Sequence, residues 1–246
     1  MLPNLQLGPL NLQVPPLVVL LAFYLGLSLA ERFAPRRGVS PDALYNLVFS
    51  ALVSGILGAR LGFIARNPSA FGNLWDVFSL NPGLLDPWSG FGAAFIAALI
   101  YAQRKKMLLW PTLDALTPLF GVTMLGLSVS HLASGQAFGM ETDLPWGILL
   151  WGAKRHPTQI YEILAALGTL ILLAPKLVPA TRSGILFARF VAITAGWNLF
   201  LLAFRGDSTL LPFGLRAGQV MAWLVLAAAL VLLDHLHRQA VPPIET

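Results

Sequence analysis

Several apolar runs of about 17 to 25 residues follow one another along this chain, and this pattern constrains the fold more than any other feature. A helical run of that length matches the thickness of a lipid bilayer. Only 11% of the residues are charged and 57% are hydrophobic, whereas a soluble domain carries roughly 25% charged residues. The runs are continuous, without the alternation of barrel strands, so they predict helices. We therefore predict an all-α, polytopic membrane protein that forms a single integral membrane domain over residues 1–246.

About seven membrane spans are predicted, with the N-terminus outside and the C-terminus in the cytoplasm. Basic clusters, including Arg36–Arg37 and Arg104–Lys106, lie between spans, and cytoplasmic loops carry an excess of Lys and Arg. The linker 65–86 is expected at the outer surface, with a short interfacial helix around Trp75–Phe78. The predicted spans cover residues 14–30, 41–64, 87–101, 109–132, 157–175, 184–204 and 215–233.

Composition also excludes several functional classes. The net charge of +5 comes from Lys and Arg scattered through short loops, so nucleic acid is not predicted as a partner. The absence of cysteine excludes disulfides, thiolate metal sites and a cysteine nucleophile in this chain. Two of the four histidines, His235 and His237, lie near the C-terminus, which argues against a metal site. No metal or other cofactor is predicted.

The stretch Arg155–Glu162, which reads RHPTQIYE, places polar and charged groups where an apolar helix begins. Proline at a first helical position leaves no unpaired N–H there, so Pro157 is expected to open the helix. One interpretation is an ordinary interfacial helix start, whose cations reach up to the headgroups. The other is a binding or catalytic cluster at the mouth of the fifth span.

Ionisable side chains inside membrane spans are costly and indicate functional sites by default. Arg60 lies near the outer end of the second span, where snorkelling is the alternative explanation. Asp114, near the cytoplasmic end of the fourth span, is expected either to be solvated or to pair with Arg189. His131 stands apart because the outer end of its span is polar.

Cationic and polar residues gather at the outer ends of spans two, four, five and six. They are Arg60, His131, Gln136, Arg155, His156, Glu162 and Arg205. Guanidinium groups bind phosphate bidentately, and the phosphate that a membrane supplies is a phospholipid headgroup. An outward-facing anion site and simple anchoring at anionic headgroups both explain this set.

Glycines accompany two of these residues and leave a further choice open. Gly55, Gly58 and Gly62 surround Arg60, while Gly126 and Gly139 lie on either side of His131. Such glycines let a backbone approach either another helix or a ligand.

Four segments resemble the bacterial prolipoprotein diacylglyceryl transferase family. They are Gly58–Phe63, Gly139 with Thr142–Gly147 behind it, Arg155–Glu162, and Phe204–Asp207 with Gln219 beyond it. The resemblance implies transfer of a diacylglyceryl group from phosphatidylglycerol to a lipobox cysteine thiol, with glycerol phosphate displaced by the sulfur. It also implies two partners, phosphatidylglycerol and a lipobox-containing preprolipoprotein, and a multi-pass protein of the bacterial plasma (inner) membrane.

Other positions depart from the family. Where the family carries Arg, Asn, Glu and Gly at the outer end of the fourth span, this chain has Ser128, His131, Gln136 and Gly139. The family histidine of the third span falls at Gly92. Its Tyr, Arg and Glu of the sixth span fall at Thr194, Asn198 and Leu202. A neutral side chain cannot replace arginine as a charged partner.

With these departures, two functional hypotheses stand. In the first, His131, Arg155 and Glu162 are catalytic, with His131 as the base that activates the thiol. The lipid- and phosphate-binding residues are then Arg60, Arg155, Arg205, His156, Gln159, Gln136 and Gly139. The alternative is a catalytically inactive family member, a lipid-binding or structural subunit whose partners include other membrane subunits.

Overall fold

Seven α-helices make up most of the computed structural model, which describes residues 4–7, 10–68, 85–174 and 182–238. In chain order they are α1 (Val14–Phe33), α2 (Pro41–Arg66), α3 (Pro87–Arg104), α4 (Leu109–Ser134), α5 (Thr158–Leu172), α6 (Ile185–Leu201) and α7 (Ala217–Arg238). Each helix coincides with one predicted span. The proposed interfacial helix around Trp75–Phe78 lies outside the described residues.

Five stretches in the described part of the chain are long and apolar enough to cross a membrane. They are Val14–Arg37, Pro41–Arg66, Leu109–Ser134, Ile185–Phe204 and Ala217–Arg238. Helix α5, with 15 residues, is shorter, and α3 is not among the five. A helical membrane protein is thus confirmed, with five candidate spans where the sequence predicted about seven.

Two small β-hairpins depart from the all-α prediction. Strands β1 (Asn4–Leu7) and β2 (Leu10–Gln13) pair antiparallel, with Asn4 opposite Gln13. Strands β3 (Ile148–Leu150) and β4 (Ala153–Arg155) pair with Ile148 opposite Arg155. Strands this short carry too little alternation to be recognised in a sequence dominated by helical runs. They lie outside the apolar runs, so the prediction of helical spans is unaffected.

Local signals explain where the helices begin. Ser40 caps α2 and Asp86 caps α3, where the Asp86 carboxylate accepts the Ser89 N–H at 2.9 Å. A proline follows each cap, at a position where the missing N–H costs no hydrogen bond. Pro157, in contrast, lies just before α5, which begins at Thr158 and not at the proline as predicted.

The chain forms two compact units, and the smaller one, residues 34–112, contains α2 and α3. These helices pack through small residues: a Cβ added at Gly58 would overlap Ala93, and one at Gly90 would lie 2.9 Å from the Ala59 Cβ. The glycines around Arg60 therefore serve close helix packing, one of the two alternatives left open by the sequence.

The larger unit comprises residues 1–33 and 113–246, which include α1, most of α4, and α5 to α7. Close packing recurs between α1 and α4, since a Cβ added at Gly126 would overlap Ala22. At the start of α6, both carboxylate oxygens of the fully buried Asp114 accept backbone N–H groups, from Gly184 at 2.8 Å and Phe187 at 2.9 Å. Asp114 thus caps α6 from α4, a role that the sequence alternatives of solvation or pairing with Arg189 did not include.

Replacing Asp114 with alanine is expected to destabilise the protein by about 2 kcal/mol or more, since two buried N–H groups lose a charged acceptor. Thermal unfolding in detergent, followed by circular dichroism, measures the change. Asp234→Ala is the matched control because its carboxylate is 58% exposed and pairs with Arg238 along one helix face. Equal effects of the two substitutions would contradict the capping role.

Candidate active site

The site is built where three backbone segments of the larger unit run side by side. The central one, Phe138–Glu141, pairs with Arg205 through Gly139 and with Arg155 through Glu141. The Met140 N–H donates to the Phe204 carbonyl at 2.8 Å, and the Met140 carbonyl accepts the His156 N–H at 3.0 Å. This crossing fixes the end of α4, the start of α5 and the end of α6 relative to one another.

Gly139 occupies the tightest point of this crossing. A Cβ added there would overlap the His156 carbonyl, and one added at Gly206 would lie 2.9 Å from the Gly139 carbonyl oxygen. Only residues without a side chain allow three backbones to approach this closely. The structure thus gives Gly139, predicted as a lipid-binding residue, a place in the framework of the site.

His131 and Glu162 form the central pair. His131 comes from the last turn of α4 and Glu162 from the second turn of α5, and His131 Nδ1 lies 2.9 Å from Glu162 Oε2. Both side chains are largely buried, with 21% and 17% of their surface exposed. Two residues that the sequence singled out separately are therefore in direct contact.

Arg205 extends this pair into a four-residue network, hereafter the charged cluster: His131, Glu162, Arg205 and Asp207. Arg205 donates to Glu162 Oε1 at 3.1 Å and makes a two-pronged contact with Asp207, at 2.8 and 2.7 Å. Among the residues that the structure describes, these contacts engage three of its five N–H groups, and two can donate to a ligand.

The ionic state of Arg205 and Asp207 follows from their contacts. Hydrogen bonds from Arg205 hold the pKa of the Asp207 carboxyl below its usual range, although partial burial acts in the opposite direction. The same pairing raises the pKa of the Arg205 guanidinium. Since the carboxyl pKa is depressed, the stabilisation is present above the unfolded-state value and is lost only as the pH falls through the folded-state value. Both groups are therefore charged at neutral pH.

Glu162 also determines which nitrogen of His131 is available for chemistry. Its other oxygen accepts from Arg205, an arrangement that fits an ionised carboxylate, and a carboxylate can only accept hydrogen bonds. His131 Nδ1 must then carry the hydrogen, and in the neutral ring Nε2 keeps the lone pair. A carboxylate that orients an imidazole in this way is the arrangement by which proteins prepare histidine as a general base.

Two cavities meet at His131 and Arg205. The loop cavity, of about 300 Å³, is lined by His131, Gly135, Gln136, Ala137, Phe138, Trp151, Arg205 and Asp207. The helix cavity, of about 230 Å³, lies among α4, α5 and α6 and has a more apolar lining: Met124, Leu127, Ser128, His131, Glu162, Ala165, Thr194, Trp197, Asn198, Leu201 and Arg205. A group bound in either cavity would reach the charged cluster.

Arg155, predicted to be catalytic and to bind phosphate, is held by protein groups. It donates to the carbonyls of Leu150 and Gly139 at 3.1 and 3.3 Å, and to the Glu141 carboxylate at 3.3 Å. Its guanidinium also lies 5.2 Å from the centre of the Phe138 ring. Arg155 lines neither cavity and braces the β3–β4 hairpin against the central segment.

Gln159 and His156 contact residues that line or adjoin the site. Gln159 is fully buried and donates to the Gln136 carbonyl at 2.9 Å, which anchors the exposed Gln136 beside the loop cavity. The His156 ring packs on Phe204, with 5.1 Å between ring centres. Gln159 Oε1 and His156 Nδ1 are buried without hydrogen-bond partners among the described residues.

Arg60, the remaining predicted site residue, belongs to α2 in the smaller unit, where it is partly buried. The other predicted residues all lie in the larger unit. Two members of the cavity walls, Asp207 and Trp151, were not singled out as site residues from the sequence. The Arg205-Gly206-Asp207 spacing is a signal for the first, because a carboxylate two residues from an arginine can reach it.

The fold and site define a helical membrane protein with a partly buried charged cluster beside two cavities. Across residues 4–234 the chain matches the family model described as prolipoprotein diacylglyceryl transferase, and it belongs to that family. The resemblance found in the sequence is thus confirmed.

Two relatives support this membership. A phosphatidylglycerol–prolipoprotein diacylglyceryl transferase of Geobacter sulfurreducens is 30% identical over 227 residues, which cover 87% of this chain and 84% of the relative. A protein of the same name from Streptococcus pneumoniae is 26% identical over 249 residues, covering 97% and 95% of the two chains. The similarity therefore extends over nearly the whole chain.

Proposed function

We propose that this protein transfers a diacylglyceryl group from phosphatidylglycerol to the cysteine thiol of a prolipoprotein. Family membership and the names of the relatives support the reaction. The observation that carries the proposal for this chain is the 2.9 Å contact between His131 and Glu162 at the junction of two cavities. It supplies a base in a sequence that lacks several of the family's charged residues.

In the proposed reaction, His131 Nε2 takes the proton of the acceptor thiol, because the thiolate is the nucleophile. The sulfur attacks the carbon of the diacylated glycerol that is bonded to the phosphate oxygen. A carbon–sulfur bond forms, the carbon–oxygen bond breaks, and glycerol phosphate leaves with the bonding electrons. The proton held on His131 can then pass to the departing phosphate, which returns the imidazole to its starting state.

Arg205 is proposed to stabilise the leaving phosphate with the two N–H groups that its protein partners leave available. Glu162 orients His131 and holds Arg205 in place. The helix cavity, with its apolar walls, suits the lipid, and the loop cavity suits the acceptor peptide. The predicted catalytic role of Arg155 and the predicted lipid-binding roles of Arg60, Arg155, Gln136, Gly139, His156 and Gln159 remain part of this proposal. In it, Gly139, His156 and Gln159 act through the framework of the site.

The same proposal places the protein in the bacterial plasma membrane, with seven spans, the N-terminus outside and the C-terminus in the cytoplasm. Basic residues between the helices support this orientation, since Lys and Arg favour the cytoplasmic side. In this topology α3 and α5 also cross the bilayer, and the site faces the outer leaflet.

Purified protein, phosphatidylglycerol and a lipobox peptide provide the direct test. The expected result is a gain in peptide mass equal to one diacylglyceryl group, with release of glycerol phosphate. The S. pneumoniae relative, assayed alongside, controls for the lipid and peptide preparations. If that relative is active and this protein gives no product, the transferase proposal is wrong and the inactive, lipid-binding alternative is favoured.

A further inference from the structure

Trp151 has an unusual backbone for a large residue. Strands β3 and β4 are joined by the two-residue turn Trp151–Gly152, with φ values of 53° and 76°. A turn with two positive φ values favours Asn or Gly at its first position, and a bulky side chain there is strained. Residues held in such sparsely populated backbone conformations are concentrated at functional sites.

The indole is held in one orientation beside the charged cluster. Its Nε1–H donates to the Gly135 carbonyl at 3.1 Å, and the side chain forms part of the wall of the loop cavity with His131, Arg205 and Asp207. Even so, 66% of the residue is exposed, so a broad apolar surface remains available next to the proposed base. Leu149, on the same hairpin, is 82% exposed.

An interfacial membrane anchor would use its indole differently. Tryptophans at a membrane surface keep their N–H available for headgroups and water. The Trp151 N–H is bound within the protein, while its ring faces the same cavity as His131. A ligand that binds in this cavity beside His131 therefore lies next to Trp151.

We propose that Trp151 is a positioning residue for the acceptor peptide, whose apolar side chains next to the reactive cysteine pack on its exposed indole. This inference rests on the proposed function for the identity of the acceptor. Aromatic residues with few rotatable bonds provide large contact areas at small entropic cost, which suits a fixed wall of this kind.

A lipobox peptide with serine in place of the cysteine tests binding separately from transfer. With the full-length protein in phosphatidylglycerol-containing nanodiscs, Trp151→Ala is expected to weaken the peptide Kd about tenfold, and Trp151→Phe less than threefold. Trp146→Ala is the matched control: Trp146 is 58% exposed, its Nε1–H donates to the Tyr161 hydroxyl, and it lines neither cavity. Its Kd should change less than twofold.

With a reactive peptide, Trp151→Ala should raise KM about tenfold and leave kcat within twofold, because the indole positions the acceptor and takes no part in the chemistry. An unchanged Kd in Trp151→Ala, or no peptide binding by the unmutated protein, would overturn the inference. Trp151-dependent binding without any transfer would support the inference and overturn the transferase proposal alone.

Fluorescence quenching tests the alternative that the β3–β4 hairpin lies at the membrane surface. The chain contains no cysteine, so Trp151→Cys can carry a single bimane label. Quenching by a tryptophan-containing lipobox peptide would support the proposal. Quenching by a spin-labelled lipid, unaffected by saturating peptide, would assign the hairpin to the membrane surface and overturn it.

Discussion

Replacing His131 with glutamine is expected to lower kcat for diacylglyceryl transfer at least about a hundredfold, because a positioned general base contributes roughly 10²–10⁴ to the rate. Glutamine keeps a polar group of similar reach but cannot take a proton at neutral pH. Glu162 retains its contact with Arg205, so the fold should persist. Initial rates at saturating peptide, measured as diacylglyceryl-peptide mass, provide the readout.

The control for His131 is another histidine of the same chain. His237 lies in the last turn of α7, exposed, with Nδ1 at 2.6 Å from the Leu233 carbonyl oxygen. His237→Gln should leave kcat within twofold. If His131→Gln kept more than a tenth of the rate while remaining folded, His131 would not be the base.

The second large effect is expected for Glu162→Gln, again a loss of about a hundredfold in kcat. The amide no longer fixes the hydrogen on His131 Nδ1, and Arg205 loses one of its two anionic partners. The double variant His131→Gln/Glu162→Gln should be no slower than either single variant within about threefold, since residues that act as a unit are not additive. Losses that multiply in the double variant would show that the two side chains act independently.

Thermal unfolding separates catalysis from folding in this series. Asp207 still pairs with Arg205 in Glu162→Gln, so the stability should fall far less than the rate. Glu162→Asp keeps the charge but shortens the side chain by one methylene group, and should recover part of the activity. A variant whose activity loss tracked its unfolding would point to a structural role.

The helices could be predicted from the sequence because each is a long apolar run, and such a run in a membrane protein has few alternatives. The β3–β4 hairpin could not, because ILL and AKR are three-residue strands whose pairing depends on the strained Trp151–Gly152 turn. The cap on α6 could not be predicted from the sequence either, because Asp114 and Gly184 are 70 residues apart.

The members of the charged cluster could be predicted in part from the sequence. His131, Glu162 and Arg205 were all singled out as polar residues near predicted helix ends, but their contacts depend on the packing of three helices. For Arg155 the sequence did not indicate the contacts within the protein. Its position in the RHPTQIYE motif predicts a ligand contact, and the structure adds three contacts within the protein, to two backbone carbonyls and to Glu141, which use three of its five N–H groups. Residue type and spacing alone do not show such contacts within the protein.

The length of α5 has a consequence for where the reaction takes place. Fifteen residues at about 1.5 Å each give roughly 22 Å, against a hydrocarbon layer of about 30 Å. In the proposed seven-span topology, the bilayer would thin around this helix or its first turns would lie below the headgroup level. Thinning of the bilayer would bring the ester and phosphate of a neighbouring lipid to the depth of Glu162. The donor lipid can then react while its acyl chains stay in the leaflet, and the water-soluble product leaves from a shallow depression in the membrane surface.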